Sequence, residues 1–357
     1  MSRPPTNLQK IAVVGATGFT GRLVVAALEA RGGLTIRMVG RNRNRLAQML
    51  RDFPGAEGWP IDSWTADGLV EALRSCSAVI SCAGPFVRAG RPVAEAAVRV
   101  EVPYCDSTGE QSFIRWIYQS LDAPARLAGI PVVPAFGFDY VPGDLGAALV
   151  AEGMGQLESI DVFYWSASMA TSAGTRRSMV GILREPGYAW SQGRLQREAL
   201  GRRQRRIRLD GRSLGGISIP GGEALMVPRH VPVRSVSTYL AARVPPVLTR
   251  GLPLATLPGV RQAVEWAVTR GPAPDQPSRS RPFGCHVQAV AVDGSRRALV
   301  LEGKDVYGFT AEALAELANR MCAGTVDAVG ACSPAQAVPA AQFLSRLDVR
   351  VREVAAG

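Results

Sequence analysis

The chain has 357 residues, of which 47% are hydrophobic and 20% charged, and its formal net charge is +11 at pH 7. This length suits two domains, or one domain with a large insertion, and the composition is that of a globular enzyme. The apolar residues are dispersed and interrupted by glycine and proline, which excludes a transmembrane helix, and the first residues lack the apolar core of a signal peptide, which predicts the cytoplasm.

Cysteine and histidine usage argues against a metal site. The six cysteines lie far apart without a CxxC pair, and the only histidines are His230 and His286. Because no Cys/His cluster is present, we predict no metal. The positive charge is almost all arginine, and no helix-turn-helix, zinc module or RNA-binding aromatic signature accompanies it, so a nucleic-acid partner is not predicted. The oligomeric state stays open, with a homo-oligomer as one option.

The first 150 residues alternate short buried strands with amphipathic helices. This rhythm predicts an α/β fold, a Rossmann-type doubly wound parallel sheet, as an NADP-binding domain over 1–150. The predicted strands are 10–14, 34–39, 59–61, 78–82, 103–106 and 130–133. The predicted helices are 20–31, 44–52, 66–75, 91–100, 111–121 and 143–152.

From about residue 159 the pattern of predicted strands and helices becomes that of an α+β domain. "SIDVFYWSAS" and "VSTYLAARV" alternate as strands, and Asp293-Gly294 joins two further strands as a hairpin. We therefore predict an α+β substrate or cover domain over 151–320, with a largely antiparallel sheet. Thr310 is expected to cap the helix of "TAEALAELANRMCAG", and Ser333-Pro334 to open a helix in a C-terminal segment, 321–357, that packs back on the first domain.

One stretch concentrates positive charge. Between Arg194 and Arg212 the chain carries eight arginines against Glu198 and Asp210. A solvated surface loop or helix is the favoured interpretation, because charge runs usually face water. The alternative is an electrostatic platform for an acidic partner such as an acyl carrier protein.

A glycine turn joins the first strand to the first helix. In "VVGATGFTGRL", Gly15 permits a tight turn, Gly18 lets the backbone approach a phosphate, and Gly21 lets helix and strand pack closely. The end of the second strand, "MVGRNRNRL", offers Arg41 and Asn42 instead of an acidic residue. Because a guanidinium suits a 2′-phosphate, we predict NADP(H) as the cofactor.

Several later motifs occur in a distinctive order: "AGPF", "YCDSTGE", "GFDYVPGDLG", "AGTRRSM", "GKDVYGFTAEAL" and "CSPAQAV". Together with the glycine turn they resemble the saccharopine dehydrogenase-like oxidoreductase family, which includes saccharopine reductases and trans-acting enoyl reductases. The resemblance implies a Rossmann domain, an α+β domain and nicotinamide-dependent redox chemistry. It implies cofactor contacts at Gly15, Thr17, Gly18, Phe19, Gly21, Ala83, Gly84, Pro85, Phe86, Thr108, Gly109, Glu110, Gly137 and Phe138. It also places Gly174, Thr175 and Ser178 on the substrate side.

Hydride transfer also requires a proton donor. Tyr140, which stands where the family carries a small residue, is the preferred acid, with Asp139 and Asp106 as further catalytic candidates. For both carboxylates the alternative role is a loop cap, because Asp readily bonds nearby backbone N–H groups.

Three functions are compatible with these residues. The leading hypothesis is an NADPH-dependent reductase of a polarised C=C bond in a lipid- or polyketide-like intermediate. The second is a C=N reductase or secondary-amine dehydrogenase, in which Arg88, Arg91, Arg176 and Arg177 would clamp carboxylates. The third is a regulator that binds NADPH without turnover.

Overall fold

A computed structural model describes residues 9–166, 187–241, 259 and 282–356. The chain divides into two units. The first comprises Met1–Thr108, Trp116–Gly137 and Thr310–Cys332, and the second comprises Gly109–Arg115, Phe138–Phe309 and Ser333–Gly357. Within the described ranges, no helix combines the length and the apolar character needed to cross a membrane.

Strands and helices are numbered in chain order. The strands are β1 (Lys10–Val14), β2 (Thr35–Gly40), β3 (Glu57–Pro60), β4 (Ala78–Ser81), β5 (Tyr104–Asp106), β6 (Pro131–Val133), β7 (Leu157–Ser166), β8 (Tyr188–Ser191), β9 (Arg194–Arg197), β10 (Gln204–Leu209), β11 (Arg212–Ile219), β12 (Val233–Ala241), β13 (Phe283–Ala291), β14 (Arg296–Gly303), β15 (Gly330–Ala331) and β16 (Val349–Val354). The helices are α1 (Phe19–Arg31), α2 (Arg43–Asp52), α3 (Ala66–Leu73), α4 (Phe86–Arg99), α5 (Gln111–Ser120), α6 (Asp122–Leu127), α7 (Val141–Ala151), α8 (Glu223–Met226), α9 (Val306–Cys322), α10 (Pro334–Ala337) and α11 (Ala340–Ser345), with a 3₁₀ turn at Val227–Arg229.

The first unit contains a parallel sheet in the order β3-β2-β1-β4-β5-β6-β15. β1 lies between β2 and β4, with Ile11 opposite Ile36 on one side and Ala78 on the other. Parallel strands need crossover connections, and the helices supply them. The strand order reverses beside β1, so ligands are expected beyond the carboxyl ends of these strands. The predicted parallel doubly wound sheet is confirmed, although α4 begins at Phe86, earlier than predicted.

In the part of the second unit that the structure describes, nine strands form a mixed sheet. Its main path runs β10-β11-β12-β7-β13-β14-β16, while β8 pairs with β12 and with β9. β7 and β12 are parallel, and the other pairs are antiparallel. The predicted hairpin is confirmed: Val290 pairs with Arg296, and the turn between them has Gly294 at φ +88°. The predicted largely antiparallel sheet is therefore correct, with one parallel pair inside it.

Helix α7 packs on β13 and β14 of this sheet. A Cβ placed on Gly146 would lie 2.8 Å from a methyl carbon of Val287 and 3.0 Å from one of Leu301. Glycine therefore lets the helix approach the sheet closely. On the second unit's sheet, Phe163 and Tyr239 stack with ring centroids 4.6 Å apart, and Ile207 of β10 joins their cluster.

The unit boundaries differ from the predicted ones. The sequence places 143–152 in the first domain, whereas α7 belongs to the second unit because it packs on that unit's sheet. Of the C-terminal segment, the part up to Cys332 lies with the first unit, but β16 pairs with β14 in the second sheet. Residues 349–354, VRVREV, alternate as a strand and pair along the edge of β14.

Two local expectations are corrected and one is confirmed. The arginine-rich stretch forms strands β9, β10 and the start of β11 instead of a loop or helix. Thr310 lies inside α9, because the helix begins at Val306, where Asp305 Oδ1 accepts the N–H of Tyr307 at 3.1 Å. Ser333 caps α10 with Pro334 at its first position, as predicted.

Candidate functional site

The glycine turn between β1 and α1 is built from close backbone contacts. Gly15 has φ +82°, a conformation that side chains disfavour, and a Cβ there would lie 3.0 Å from the backbone of Cys82 and Ala83. A Cβ on Gly21 would overlap the carbonyl oxygen of Gly15 and lie 2.8 Å from the Cα of Ala16. The predicted roles of these two glycines, a tight turn and close packing of helix on strand, agree with this geometry.

The N-terminus of α1 has neither a side-chain cap nor an acidic residue in its first turn. Its N-cap, Gly18, has no side chain to accept a first-turn N–H group, and the first turn holds no acidic residue. Thr17 and Phe19 flank Gly18 and are each partly exposed. The N–H groups and the positive end of the helix dipole favour a phosphate at this place. These features fit the diphosphate of a dinucleotide.

Three polar residues follow β2, and the structure separates their roles. Arg43 forms an ion pair with Asp62 at 2.9 Å. Asn42 is the N-cap of α2, and its Oδ1 accepts the N–H of Arg45 at 2.9 Å. Arg41 is exposed, lies 5.2 Å from the ring centroid of Trp64, and has no ion pair among the described residues. Of the two arginines, Arg41 is therefore the one without an ion pair among the described residues, whereas Asn42 caps α2.

The Ala83–Phe86 loop follows β4 directly. Pro85 is the N-cap of α4, the Gly84-Pro85 peptide bond is cis, and Phe86 is buried in the first turn. Gly84 is exposed. The indole Nε1 of Trp64 donates to the carbonyl oxygen of Ala89 at 3.0 Å. The same tryptophan thus contacts Arg41 and anchors α4.

Asp106 stabilises the loops at the ends of β5 and β6. Its side chain is fully buried, and Oδ1 accepts the N–H groups of Thr108 at 2.8 Å and Ala135 at 3.0 Å. This is the alternative role considered for Asp106, so the geometry does not support it as a proton donor. Gly137 ends this region, and a Cβ there would lie 3.0 Å from a methyl carbon of Thr310.

Within the second unit, Gly109 lies beside Asp139 and Tyr140. The phenol of Tyr140 donates to the carbonyl oxygen of Gly109 at 2.8 Å, and a Cβ on Gly109 would lie 3.0 Å from Oδ2 of Asp139. Desolvation by the surrounding protein raises the pKa of Asp139 to about 6, although the residue keeps an exposed surface. Burial raises the pKa of Tyr140 well above its usual value, so its proton stays in place at neutral pH.

A buried carboxyl group that the sequence analysis missed lies in the second unit. Glu223 is fully buried, and its two oxygens accept from the Tyr164 phenol at 2.6 Å and the Thr238 hydroxyl at 2.8 Å. The Tyr164 oxygen also accepts the N–H of Gly143 at 3.0 Å. Burial raises the pKa of Glu223 to about 7. A lone glutamate after two glycines carries no signal of this in one sequence.

The remaining predicted residues fall into three groups. Phe138 packs in an aromatic cluster, with ring centroids 5.7 Å from Tyr164 and 4.7 Å from Phe283. Glu110 is buried, and its carbonyl oxygen accepts the N–H of Ile114 in α5. Gly174, Thr175 and Ser178 lie outside the described residues, as do Arg176 and Arg177.

No group of three or more His, Cys, Asp and Glu side chains in the described ranges is arranged to hold a metal ion.

Asp144 and His230 form a pair with 2.8 Å between Oδ1 and Nε2, and Oδ2 of Asp144 accepts the N–H of Ala335 at 2.8 Å. Asp144 therefore ties α7 to the start of α10.

Parts of this chain are similar in sequence to known proteins. Residues 15–114 match the family model described as NAD(P)H-binding. The chain is 32% identical over 165 residues to a lipid droplet localized protein of Caenorhabditis elegans, a match that covers 43% of this chain and 39% of that protein. It is 32% identical over 175 residues to a trans-acting enoyl reductase of Mycobacterium tuberculosis, covering 46% of this chain and 42% of that protein. The matches thus span less than half the length of these relatives.

The fold has a counterpart among solved structures. Apo saccharopine dehydrogenase (L-Glu forming) from Saccharomyces cerevisiae superposes with a TM-score of 0.66 over 97% of this chain and 100% of that chain, at 14% sequence identity. At this identity the likeness concerns the fold. The comparisons agree with the resemblance that the motifs indicate: residues 15–114 match an NAD(P)H-binding domain, and the chain shares the fold of saccharopine dehydrogenase.

Proposed function

We propose that this protein is an NADPH-dependent reductase of a polarised C=C bond in a lipid- or polyketide-like intermediate. The cofactor choice rests on two features: α1 begins without a side-chain cap, and Arg41 after β2 has no ion pair among the described residues. The reaction type is supported by the relatives named trans-acting enoyl reductase.

The residues present fit this cofactor. Gly15 and Gly21 leave no room for side chains, and the first-turn N–H groups of α1 would hold the diphosphate. Arg41 would hold the 2′-phosphate through charge-assisted hydrogen bonds, with Trp64 supporting its guanidinium plane. When bound, NADPH would supply a hydride from its nicotinamide ring.

We further propose Asp139 as the general acid that donates a proton to the product. With a pKa of about 6, about a tenth of the Asp139 carboxyl groups are protonated at pH 7, and this fraction can act as a general acid. Tyr140 is less suited to this role, because its proton is already donated to the carbonyl oxygen of Gly109. In this proposal Tyr140 positions the loop that carries Asp139.

A second candidate is reduction of a C=N bond. Arg88 is exposed two residues after Phe86 and has no ion pair in the described part of the chain, so it is available to bind a substrate carboxylate. Arg91 is less available, because its guanidinium stacks 5.0 Å from the ring centroid of Trp116. The third candidate, an NADPH-binding regulator, shares the cofactor site but performs no turnover.

One screen separates the three candidates. Purified protein is incubated with NADPH and either α,β-unsaturated acyl thioesters or cyclic imines, and oxidation is followed with product mass. Addition of two hydrogens to the thioester carbons supports the proposal. Addition to imines alone would replace it with the second candidate. Binding of NADPH without oxidation in either series would favour the regulator.

An acidic acyl carrier protein is the proposed partner for a tethered substrate, and the cytoplasm is the proposed compartment. The strands between Arg194 and Arg208 supply the positive charge for such a partner.

A further inference from the structure

Helix α7 begins shortly after Asp139, and one N–H group of its first turn is capped from another strand. Tyr140 is the N-cap residue of α7, but its side chain makes no capping hydrogen bond. The N–H of Gly143 instead donates to the phenol oxygen of Tyr164 on β7 at 3.0 Å. First-turn N–H groups have no acceptor within their own helix, so this phenol helps to fix the start of α7.

Glu223 orients the phenol. A hydroxyl group carries one proton and two acceptor lone pairs. Tyr164 donates its proton to Oε1 of Glu223 at 2.6 Å, which leaves its oxygen to accept the N–H of Gly143. Burial raises the pKa of Tyr164 well above its usual value, so this proton stays on the phenol at neutral pH. Glu223 is held in turn by the Thr238 hydroxyl, which donates to Oε2 at 2.8 Å.

Glycines bring the backbone close to this carboxyl group. A Cβ on Gly143 would overlap the phenol oxygen of Tyr164 and lie 2.6 Å from Oε1 of Glu223. A Cβ on Gly222 would lie 3.1 Å from a ring carbon of Tyr140. The segment that carries Glu223 therefore lies against the start of α7 at two places, Gly143 and Tyr140.

These groups all belong to the second unit, as does Asp139. Asp139 precedes the N-cap of α7, so a shift in the start of this helix moves the carboxyl group with it. A general acid must stay within hydrogen-bond reach of the atom that it protonates. A displacement of about 1 Å can lower a rate by about a hundredfold.

We propose that Glu223 is a positioning residue, which acts through Tyr164 to hold the start of α7 and the Asp139 carboxyl group in place. This inference rests on the proposed function, in which Asp139 is the general acid. Glu223 is not itself the acid in this proposal, because its two oxygens accept hydrogen bonds from Tyr164 and Thr238.

Two tyrosines of the second sheet provide a matched pair of variants. Side chains alternate along a strand, so Tyr164 and its neighbour Phe163 face opposite sides of the sheet. Tyr239 stacks on Phe163 and therefore lies on the side away from α7. Tyr164→Phe removes the hydroxyl group that caps α7, whereas Tyr239→Phe makes the same chemical change on the other face.

The first measurement follows the Asp139 carboxyl group itself. ¹³C NMR spectra of protein with labelled aspartate are recorded across pH, and the Asp139 signal is the one lost in Asp139→Asn. We expect the pKa of Asp139 to fall by about half a unit or more in Tyr164→Phe, because a loosened start of α7 admits water. The same pKa should stay constant in Tyr239→Phe. This measurement needs no turnover.

Kinetics test the consequence for the reaction. With a substrate identified by the screen, Tyr164→Phe should lower kcat by about tenfold or more and leave KM and the Kd for NADPH unchanged. Tyr239→Phe should keep the wild-type kcat. Glu223→Ala should lose kcat as Tyr164→Phe does, and Glu223→Gln, which keeps an oxygen acceptor for the phenol, should recover most of the loss.

Circular dichroism establishes that each variant is folded. Tyr164→Phe and Glu223→Ala break the same chain of contacts at different points, so one folded variant is enough for the test. The proposal is overturned if Asp139 titrates alike in the wild type and in this variant, or if this variant and Tyr239→Phe have equal kcat. Absence of turnover in the wild type would refute the proposed function alone, because the titration still decides whether Tyr164 and Glu223 hold Asp139.

Discussion

Arg41 and Arg43 stand two positions apart after β2, and their surroundings make them a matched pair. Arg43 is neutralised by Asp62, whereas Arg41 stacks on Trp64 without an ion pair in the described ranges. We predict that Arg41→Ala raises the Kd for NADPH by about ten- to a hundredfold, because a charged hydrogen bond contributes about 1.5–3 kcal/mol. The Kd for NADH should stay constant, because NADH has no 2′-phosphate.

Isothermal calorimetry with both nucleotides measures this prediction, and Arg43→Ala is the control. Equal weakening of NADPH and NADH binding in Arg41→Ala would contradict the assignment of the 2′-phosphate.

Asp139 and Tyr140 are neighbours with different expected contributions to the rate. Because the acid must be protonated, kcat should fall as pH rises through the pKa of Asp139, about 6. Asp139→Asn should lower kcat by about a hundredfold or more and abolish this limb of the pH profile. Tyr140→Phe removes one hydrogen bond to Gly109 and should mainly lower stability, by about 1 kcal/mol.

Stopped-flow measurement of NADPH oxidation across pH tests both variants, with NADPH affinity as the control for correct folding. If Asp139→Asn keeps the wild-type pH profile, another group is the acid.

Glu223 should make stability depend on pH. In the folded protein its carboxyl group keeps a proton up to about pH 7, whereas in the unfolded chain it ionises near 4.5. The folded state therefore binds more protons between these values, and the free energy of unfolding falls as pH rises through this window. The pKa difference corresponds to about 3 kcal/mol.

Glu223→Gln cannot ionise, so it should lose this part of the pH dependence and become more stable than the wild type at pH 8. Urea denaturation at pH 5 and pH 8 measures the change, and Glu71→Gln, an exposed residue paired with Arg74, is the control. Parallel stability curves for wild type and Glu223→Gln would refute this.

At the level of the elements, the turn between β1 and α1 depends on the absence of side chains. A Cβ on Gly21 would meet the backbone of Gly15 and Ala16, so Gly21→Ala must push α1 away from β1. The first-turn N–H groups would then move from the diphosphate, and NADPH affinity should fall about tenfold or more.

Calorimetry tests this against Gly55→Ala, where an added Cβ meets no atom within 4 Å. Gly18→Ala is a milder variant, with a Cβ 3.2 Å from the Gly15 oxygen, and it keeps the test valid should Gly21→Ala fail to fold. Undiminished affinity in a folded Gly21→Ala protein would show that the turn does not set the phosphate position.

The elements of the first unit could be predicted closely because each buried strand is short, apolar and bounded by turn residues, as in β1 and β4. The same reasoning failed for β10, "QRRIRL", where only Ile207 and Leu209 are buried and the arginines dominate the pattern. The parallel pairing of β7 with β12 and the burial of Glu223 arise from long-range packing. A local pattern carries no information about such contacts.

At the scale of the whole molecule, the arginines that give the chain its net charge of +11 have different roles. Arg203 and Arg205 are ion-paired with Glu198 and Asp161, so they stabilise the second sheet. Arg194 and Arg197 are exposed on β9, and no ion pair within the described ranges neutralises them. Exposed arginines such as these, without an ion pair in the described ranges, can attract an acidic partner.

We therefore predict that binding of an acidic acyl carrier protein weakens steeply between about 0.1 M and 1 M salt, as the Debye length shrinks from about 10 Å to about 3 Å. Arg194→Glu with Arg197→Glu should weaken the complex by about tenfold or more at low salt, mainly through slower association. Arg51→Glu with Arg350→Glu reverses the same amount of charge at exposed positions elsewhere and is the control. Surface plasmon resonance at several salt concentrations distinguishes the two. Equal losses in both variants would mean that the carrier responds to net charge alone, whereas a loss confined to the β9 variant would locate the docking surface there.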